Sequence, residues 1–177
     1  MSLLPLAAFS LALSGCANLR PPPTHPMPNG ELISVQNQPG PFCGRCDSVK
    51  VTVLSNGRVW TEHGYWAGRY TDWTIERRLR RVSLATFLRF ADRLRPFRPH
   101  GQLSLNEQPQ CARLASDFDG AQVQWRDRAG SDKLILDFSC DPQVRQAMAD
   151  AIRDAPELLG FRGLRMPWGQ WVARTAR

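Results

Sequence analysis

The sequence predicts an α+β domain, a small antiparallel sheet with two helices on one face. Two stretches alternate apolar and polar residues with a period of two and reverse at a turn, the pattern of hairpins buried on one face. Each is followed by a stretch with apolar residues three and four apart, the spacing of a helix with one buried stripe. The order hairpin, helix, hairpin, helix suggests a two-fold repeat of a ββα unit, in pattern and not in identical residues.

From Asp47 to Leu54, Val49, Val51 and Val53 alternate with Ser48, Lys50 and Thr52. Asn56-Gly57 then supplies the residue pair best suited to a two-residue hairpin turn, and the chain returns from Arg58 to His63 with Val59 and Trp60. A further extended run, Arg69 to Val82, carries Tyr70, Trp73, Ile75 and Leu79. Within it Arg77, Arg78, Arg80 and Arg81 form a candidate basic patch, for which a solvated sheet face is the plainer account. Ser83 can cap a helix over 84–95 whose apolar side is Leu84, Phe87, Leu88, Ala91 and Leu94, with Pro96 just past its end. A loop rich in Pro, Gly and Gln follows. Ala121, Val123 and Trp125 then alternate, Asp127 to Asp132 turns, and Leu134, Leu136 and Phe138 alternate again. Asp141-Pro142 offers a cap and a proline at the first helical position, ahead of a stripe formed by Val144, Ala147, Met148, Ala151 and Ile152.

The N-terminal 15 residues carry no charge and are rich in leucine and alanine, too short to span a bilayer but long enough for the apolar part of a signal peptide. Only Met1 and Ser2 precede the leucines, where a signal peptide normally has Lys or Arg. Leu13-Ser14-Gly15-Cys16 resembles the lipobox of bacterial lipoproteins, which implies that Cys16 is lipidated and becomes the mature N-terminus. Ala17, and not Asp, follows it, which by the sorting rule of enteric bacteria implies the outer membrane, facing the periplasm. The organisation expected is a signal peptide over 1–15, a proline-rich tether over 16–41 with a short strand at Leu32 to Val35, and a single domain over 42–177.

With 23 basic and 16 acidic residues the chain has a formal net charge of +7 at pH 7, nearly all from arginine, since only Lys50 and Lys133 are lysines. The 42% hydrophobic and 22% charged fractions exclude a wholly disordered chain and a polytopic membrane protein. In an envelope compartment, the partners for such a charge are the membrane itself and anionic envelope components or envelope proteins, ahead of nucleic acid.

Five cysteines are present, and four remain once Cys16 is assigned to lipid, an even number that fits disulfides in an oxidising compartment. Cys140 follows the outgoing strand of the second hairpin and Cys111 precedes the incoming one, so antiparallel pairing brings both to one end of the sheet. Cys43 and Cys46 close a very short loop. Cys43-Gly44-Arg45-Cys46 ahead of a strand, the Asn56-Gly57 turn, the serine-capped helix and the second hairpin and helix together resemble the bacterial family called domain of unknown function 6438. The resemblance covers roughly residues 30–155, departs at Asp47 and Val49, brings no known activity, and implies that Cys43 and Cys46 join each other.

The Cys43-x-x-Cys46 spacing also admits a thiol-disulfide oxidoreductase, although the pair leads into a strand and lacks the helix N-terminus that lowers a catalytic thiol's pKa. A zinc site would need two close ligand pairs, and Cys111 and Cys140 stand alone. His25, His63 and His100 have no metal-binding spacing, and no phosphate-cradling glycine loop or Gly-x-Ser-x-Gly elbow occurs, so no cofactor is expected. Asp117, Asp119, Asp127, Asp132 and Asp137 gather around the second hairpin, where turn chemistry accounts for them. Residues 156–177 mix Trp168, Trp171 and several leucines with Arg162, Arg165, Arg174 and Arg177, the composition of an interfacial segment; packing of their apolar residues on the open sheet face is the expectation. The reading is thus a non-enzymatic binding or structural module tethered to the membrane.

Overall fold

The computed structural model describes residues 30–39, 47–67, 72–115 and 119–161. Its strands are β1 (Leu32–Gln38), β2 (Ser48–Leu54), β3 (Arg58–Ala67), β4 (Asp72–Arg81), β5 (Gln102–Leu105), β6 (Gly120–Arg126) and β7 (Ser131–Asp137). Its α-helices are α1 (Leu84–Leu94) and α2 (Pro142–Leu158). All seven strands join one sheet in the order β4-β3-β2-β1-β6-β7-β5. Every pairing is antiparallel except β5 with β7. The expected small antiparallel sheet of repeated ββα units is therefore corrected to a seven-stranded mixed sheet with two helices.

Two strands account for the difference. β1 lies within the stretch assigned to the tether, yet it is central, pairing with β2 on one side and β6 on the other. It joins the four-strand meander to the second hairpin, and that continuity replaces the two separate units of a repeat. β5 arises from the loop after α1, runs parallel to β7 and makes the sheet mixed.

Strand alternation divides the sheet into two unlike faces. Ile33 and Val35 of β1, Val49, Val51 and Val53 of β2, and Val123, Trp125, Leu134 and Leu136 of β6 and β7 point inward and are almost fully buried. Phe87, Phe90, Ala91 and Leu94 from α1 and Ala149, Ile152 and Ala155 from α2 pack on them in one continuous core. Ser83 caps α1 as expected, its hydroxyl accepting from the Thr86 amide at 3.1 Å. The apolar stripe differs in detail, since Phe90 is buried and Leu84 is 41% exposed. In α2 the shift is larger. Val144 is 83% exposed, and the buried stripe runs through Ala149, Ile152, Ala155 and Leu159 because the helix continues through Pro156.

The first residues of the C-terminal tail are thus helical. Leu159 closes α2, Gly160 takes the left-handed conformation (φ +77°), and Phe161 N–H reaches the Pro156 carbonyl at 3.3 Å while Gly160 N–H donates to Glu157 at 2.8 Å. This is a Schellman stop that satisfies the last helical carbonyls. It also folds Phe161 back against the core. Residues 162–177, for which packing on the open sheet face is expected, lie outside the described residues.

The loop between α1 and β6 is tied down by polar contacts. Cys111 and Cys140, both buried, form a disulfide with a Cα–Cα distance of 5.2 Å, as expected from the hairpin geometry. In the chain-entropy account, closure across 29 residues stabilises by roughly 3–4 kcal/mol. Asp141 does not cap α2 with its side chain; it sits at φ +45° and its carboxylate instead accepts from the Ala112 and Arg113 amides at 3.1 and 2.8 Å. Gln108-Pro109 in this loop is cis. Further back, Arg98 donates to Asp127 at 2.8 Å and to Asp132, joining the end of α1 to the second hairpin's turn.

Two predictions follow from this packing. Deleting residues 156–177 removes the last turn of α2, its stop and the buried Leu159, and should lower stability by roughly 2–4 kcal/mol, a fall in Tm of about 5–15 °C. Thermal melts of the full and shortened chains test this, and equal Tm values would refute it. The second concerns acid. Hydrogen bonding from Arg98 holds Asp127 below its ordinary pKa, and the Gly101 amide together with Arg98 does the same for Asp132. Carboxyls lowered in the folded state contribute stability that is complete above their unfolded pKa, about 4, and is lost as pH falls through the folded values. Denaturant midpoints should therefore be level above about pH 4 and fall below it, and Arg98→Ala should flatten that fall.

Candidate functional site

Of β3 only Val59 joins the core, and β4 contributes no core residue, so the β3–β4 hairpin extends past the cover of the helices. Its two faces carry different chemistry, and the register assigns each residue to one of them.

On the helix side, beyond the core, His63 Nε2 meets Asp47 Oδ2 at 2.7 Å and Tyr65 donates to Glu76 Oε1 at 3.0 Å. The His63 and Tyr65 ring centroids are 5.0 Å apart. Hydrogen bonding to Glu76, with burial and the charges of Glu76 and Asp47, raises the Tyr65 pKa and keeps the phenol protonated. An Asp-His pair serves as a base when a nucleophile stands beside it. The His63–Asp47 contact ties β3 to the residue just before β2.

The candidate basic patch is divided by the same alternation. Arg77 pairs across to Glu62 and Arg81 to Arg58 on the outer face, whereas Arg78 lies opposite Thr61 and Arg80 opposite Val59 on the inner face. Arg77 binds Glu62 at 2.9 Å and Arg78 binds Glu76 at 3.3 Å. Arg80 is drawn over the Phe161 ring, 3.6 Å from its centroid, and burial there lowers its pKa. The expected patch of Arg77, Arg78, Arg80 and Arg81 is therefore not one surface. A strand period of two puts positions 77 and 81 on one side and 78 and 80 on the other.

The outer face holds what a patch reading of the sequence misses. Trp66, Trp73, Ile75 and Leu79 all lie on it and are 43%, 43%, 49% and 61% exposed. Trp66 and Trp73 meet edge to face at 5.3 Å. Gly64 makes room for this, because a Cβ there would stand 2.4 Å from the Trp73 ring. Across the sheet the same face carries six basic residues, Lys50, Arg58, Arg77, Arg81, Arg126 and Lys133, against two acidic ones, Glu62 and Asp137. Between them the central strands place half-buried Gln36, Thr52, Gln122 and Gln124 and the buried Ser34, with Leu32 and Leu54 beside them. The result is one broad polar and positive surface with an aromatic and aliphatic margin. Parity alone assigns these residues to one face, provided that β3 and β4 are recognised as a hairpin.

The remaining candidates separate cleanly. Cys16, Cys43 and Cys46 lie outside the described residues, as do His25 and Asp117. Cys111 and Cys140 form the structural disulfide. Asp127 and Asp132 hold Arg98, and Asp137 accepts from Ser139 at 2.6 Å, so these aspartates serve turns and loop closure. No group of three or more His, Cys, Asp or Glu side chains among the described residues could hold a metal ion, and no described helix is long and apolar enough to cross a membrane.

Comparison with models of known protein families finds no match, and neither does comparison with curated proteins.

Proposed function

We propose that this chain is a lipid-anchored envelope protein, held at the periplasmic side of the outer membrane by Cys16, whose folded domain binds by its outer sheet face and carries out no chemistry of its own. The observation that carries the reading is the one-sided charge of the sheet: six basic against two acidic residues on the face that the helices leave open. A cation-rich surface with few counter-charges favours an anionic component of the envelope.

The anchor reading adds geometry. Thirteen residues separate Cys16 from Gly30, and they include Pro21, Pro22, Pro23, Pro26 and Pro28. Fully extended, such a segment spans at most about 45 Å. Gly30 N–H bonds the Ser55 hydroxyl at 3.2 Å, so the chain enters the sheet at the end where Arg58, Arg81 and Arg126 stand on the outer face. An anchor of that reach keeps the basic end of the domain near the membrane.

Replacing Cys16 by serine tests the anchor. The full chain should incorporate labelled fatty acid and lose residues 1–15, whereas Cys16→Ser should incorporate none and keep them. Labelling of both chains, or of neither, would overturn the lipoprotein reading.

A further inference from the structure

We infer that the outer face of the sheet is a second, protein-borne membrane contact, which lies flat on an anionic phospholipid bilayer with Trp66 and Trp73 at the interface. This rests on the envelope reading above and names the partner of the same face. Three observations carry it.

The first is charge. Lys50, Arg58, Arg77, Arg81, Arg126 and Lys133 share the face, where Glu62 binds Arg77 and stands opposite Lys50. Basic side chains near an anionic bilayer each contribute about 1 kcal/mol, roughly fivefold in partitioning. The second is the kind of apolar residue exposed. Trp66 and Trp73, with Ile75 and Leu79, form a strip along β3 and β4. Indole rings favour the headgroup level of a bilayer, where their apolar body is covered and the N–H stays hydrated. The third is where the described chain begins. Gly30 stands by Ser55, beside Arg58 and Arg81 and at the other end of β3 from Trp66, so an anchor ahead of it and a seated tryptophan pair would hold the face at both ends.

β4 is also the sheet's edge, and a second copy could add there by strand pairing. In an antiparallel pairing centred on Leu79, Arg77 and Arg78 would face Arg81 and Arg80 of the copy, and like charges directly opposite oppose that pairing. The bilayer is the occupant that the charges favour.

The experiment uses residues 16–177 with Cys16→Ser, so that neither the apolar leader nor an acyl group can carry the protein to lipid. It is sedimented with vesicles of phosphatidylglycerol and phosphatidylethanolamine, and with vesicles of phosphatidylcholine alone. Binding is expected to the anionic vesicles only and to weaken as salt is added. Arg58→Ser with Arg81→Ser should lower the partition coefficient by about 20- to 30-fold. Trp66→Ala with Trp73→Ala should lower it at all salt concentrations, while Arg89→Ser on the exposed side of α1 should leave it unchanged. Circular dichroism confirms that each variant folds. The proposal is overturned by equal binding to both vesicle types, by no binding to either, by loss with Arg89→Ser equal to that with the outer-face pair, or by a concentration-dependent dimer that these outer-face variants abolish. Binding that appears only after removal of residues 162–177 would also overturn it, since the chain's own tail would then be the occupant. Failure here leaves the fatty-acid labelling of Cys16 as a separate result, and failure of labelling leaves vesicle binding intact.

Discussion

The fold depends on β1 standing between two antiparallel partners. Five of its seven residues pair with β2 on one edge and all seven with β6 on the other, so a single strand makes one sheet of two hairpin-containing halves. Each end of the strand is fastened by a polar contact. Glu31, 2% exposed, binds Arg95 at 2.6 Å and so ties the strand's start to the end of α1. A buried carboxylate left without its partner costs about 3–5 kcal/mol, which makes this a strong positional constraint even where the pair itself adds little stability. At the other end, buried Asn37 donates to the Asp47 carbonyl at 2.9 Å and accepts from the Val49 amide at 2.6 Å, continuing the contact with β2 beyond the last paired residue.

The two-faced character of the molecule follows from that placement. With Ile33 and Val35 inward at the centre, every neighbouring strand must present its apolar parity to the same side, and the helices cover that side alone. The opposite parity over the middle of the sheet holds mostly serine, threonine, glutamine, lysine and arginine, with Leu32, Leu54 and Ile135 half-buried among them. The β3–β4 hairpin departs furthest from this separation. It places large apolar side chains on the outer face and charged or aromatic ones, from His63 to Arg80, on the inner face beyond the core. A sequence selected for stability alone gains nothing from four exposed apolar side chains on one strip, which is why the hairpin, and not the core, is where a binding role belongs.

Much of this was legible locally. Ser83 and the Phe87-to-Leu94 spacing define α1 because the cap and the stripe involve neighbours within a few residues. The hairpins show through alternation around Asn56-Gly57 and Asp127-to-Gly130, and the Cys111–Cys140 pairing follows once the second hairpin is recognised. β1 was not legible as a central strand, since its surroundings are proline-rich and its partner β6 is some 90 residues away, a pairing no local signal encodes. β5, four residues joined in parallel, leaves still less pattern. Pro156 misleads in the opposite direction: it looks like a stop, yet the helix tolerates it near its end, where Ala155 and Leu159 pack inward. The arginine cluster, finally, reads as one patch along the sequence and as two faces in space, and the tryptophans that matter on the outer face come together only through the β3–β4 register.

The central claim is that the open sheet face, and not the helical layer, is turned to the membrane. Its most direct measurement is site-specific photo-crosslinking in the native envelope, with a photoreactive amino acid placed once at Ile75 on the outer face and once at Val144 on α2. Both positions are exposed, so each can report its surroundings without disturbing the core. The account predicts phospholipid adducts at position 75 and none at 144. Lipid adducts at both positions in equal yield, or at 144 alone, would contradict it.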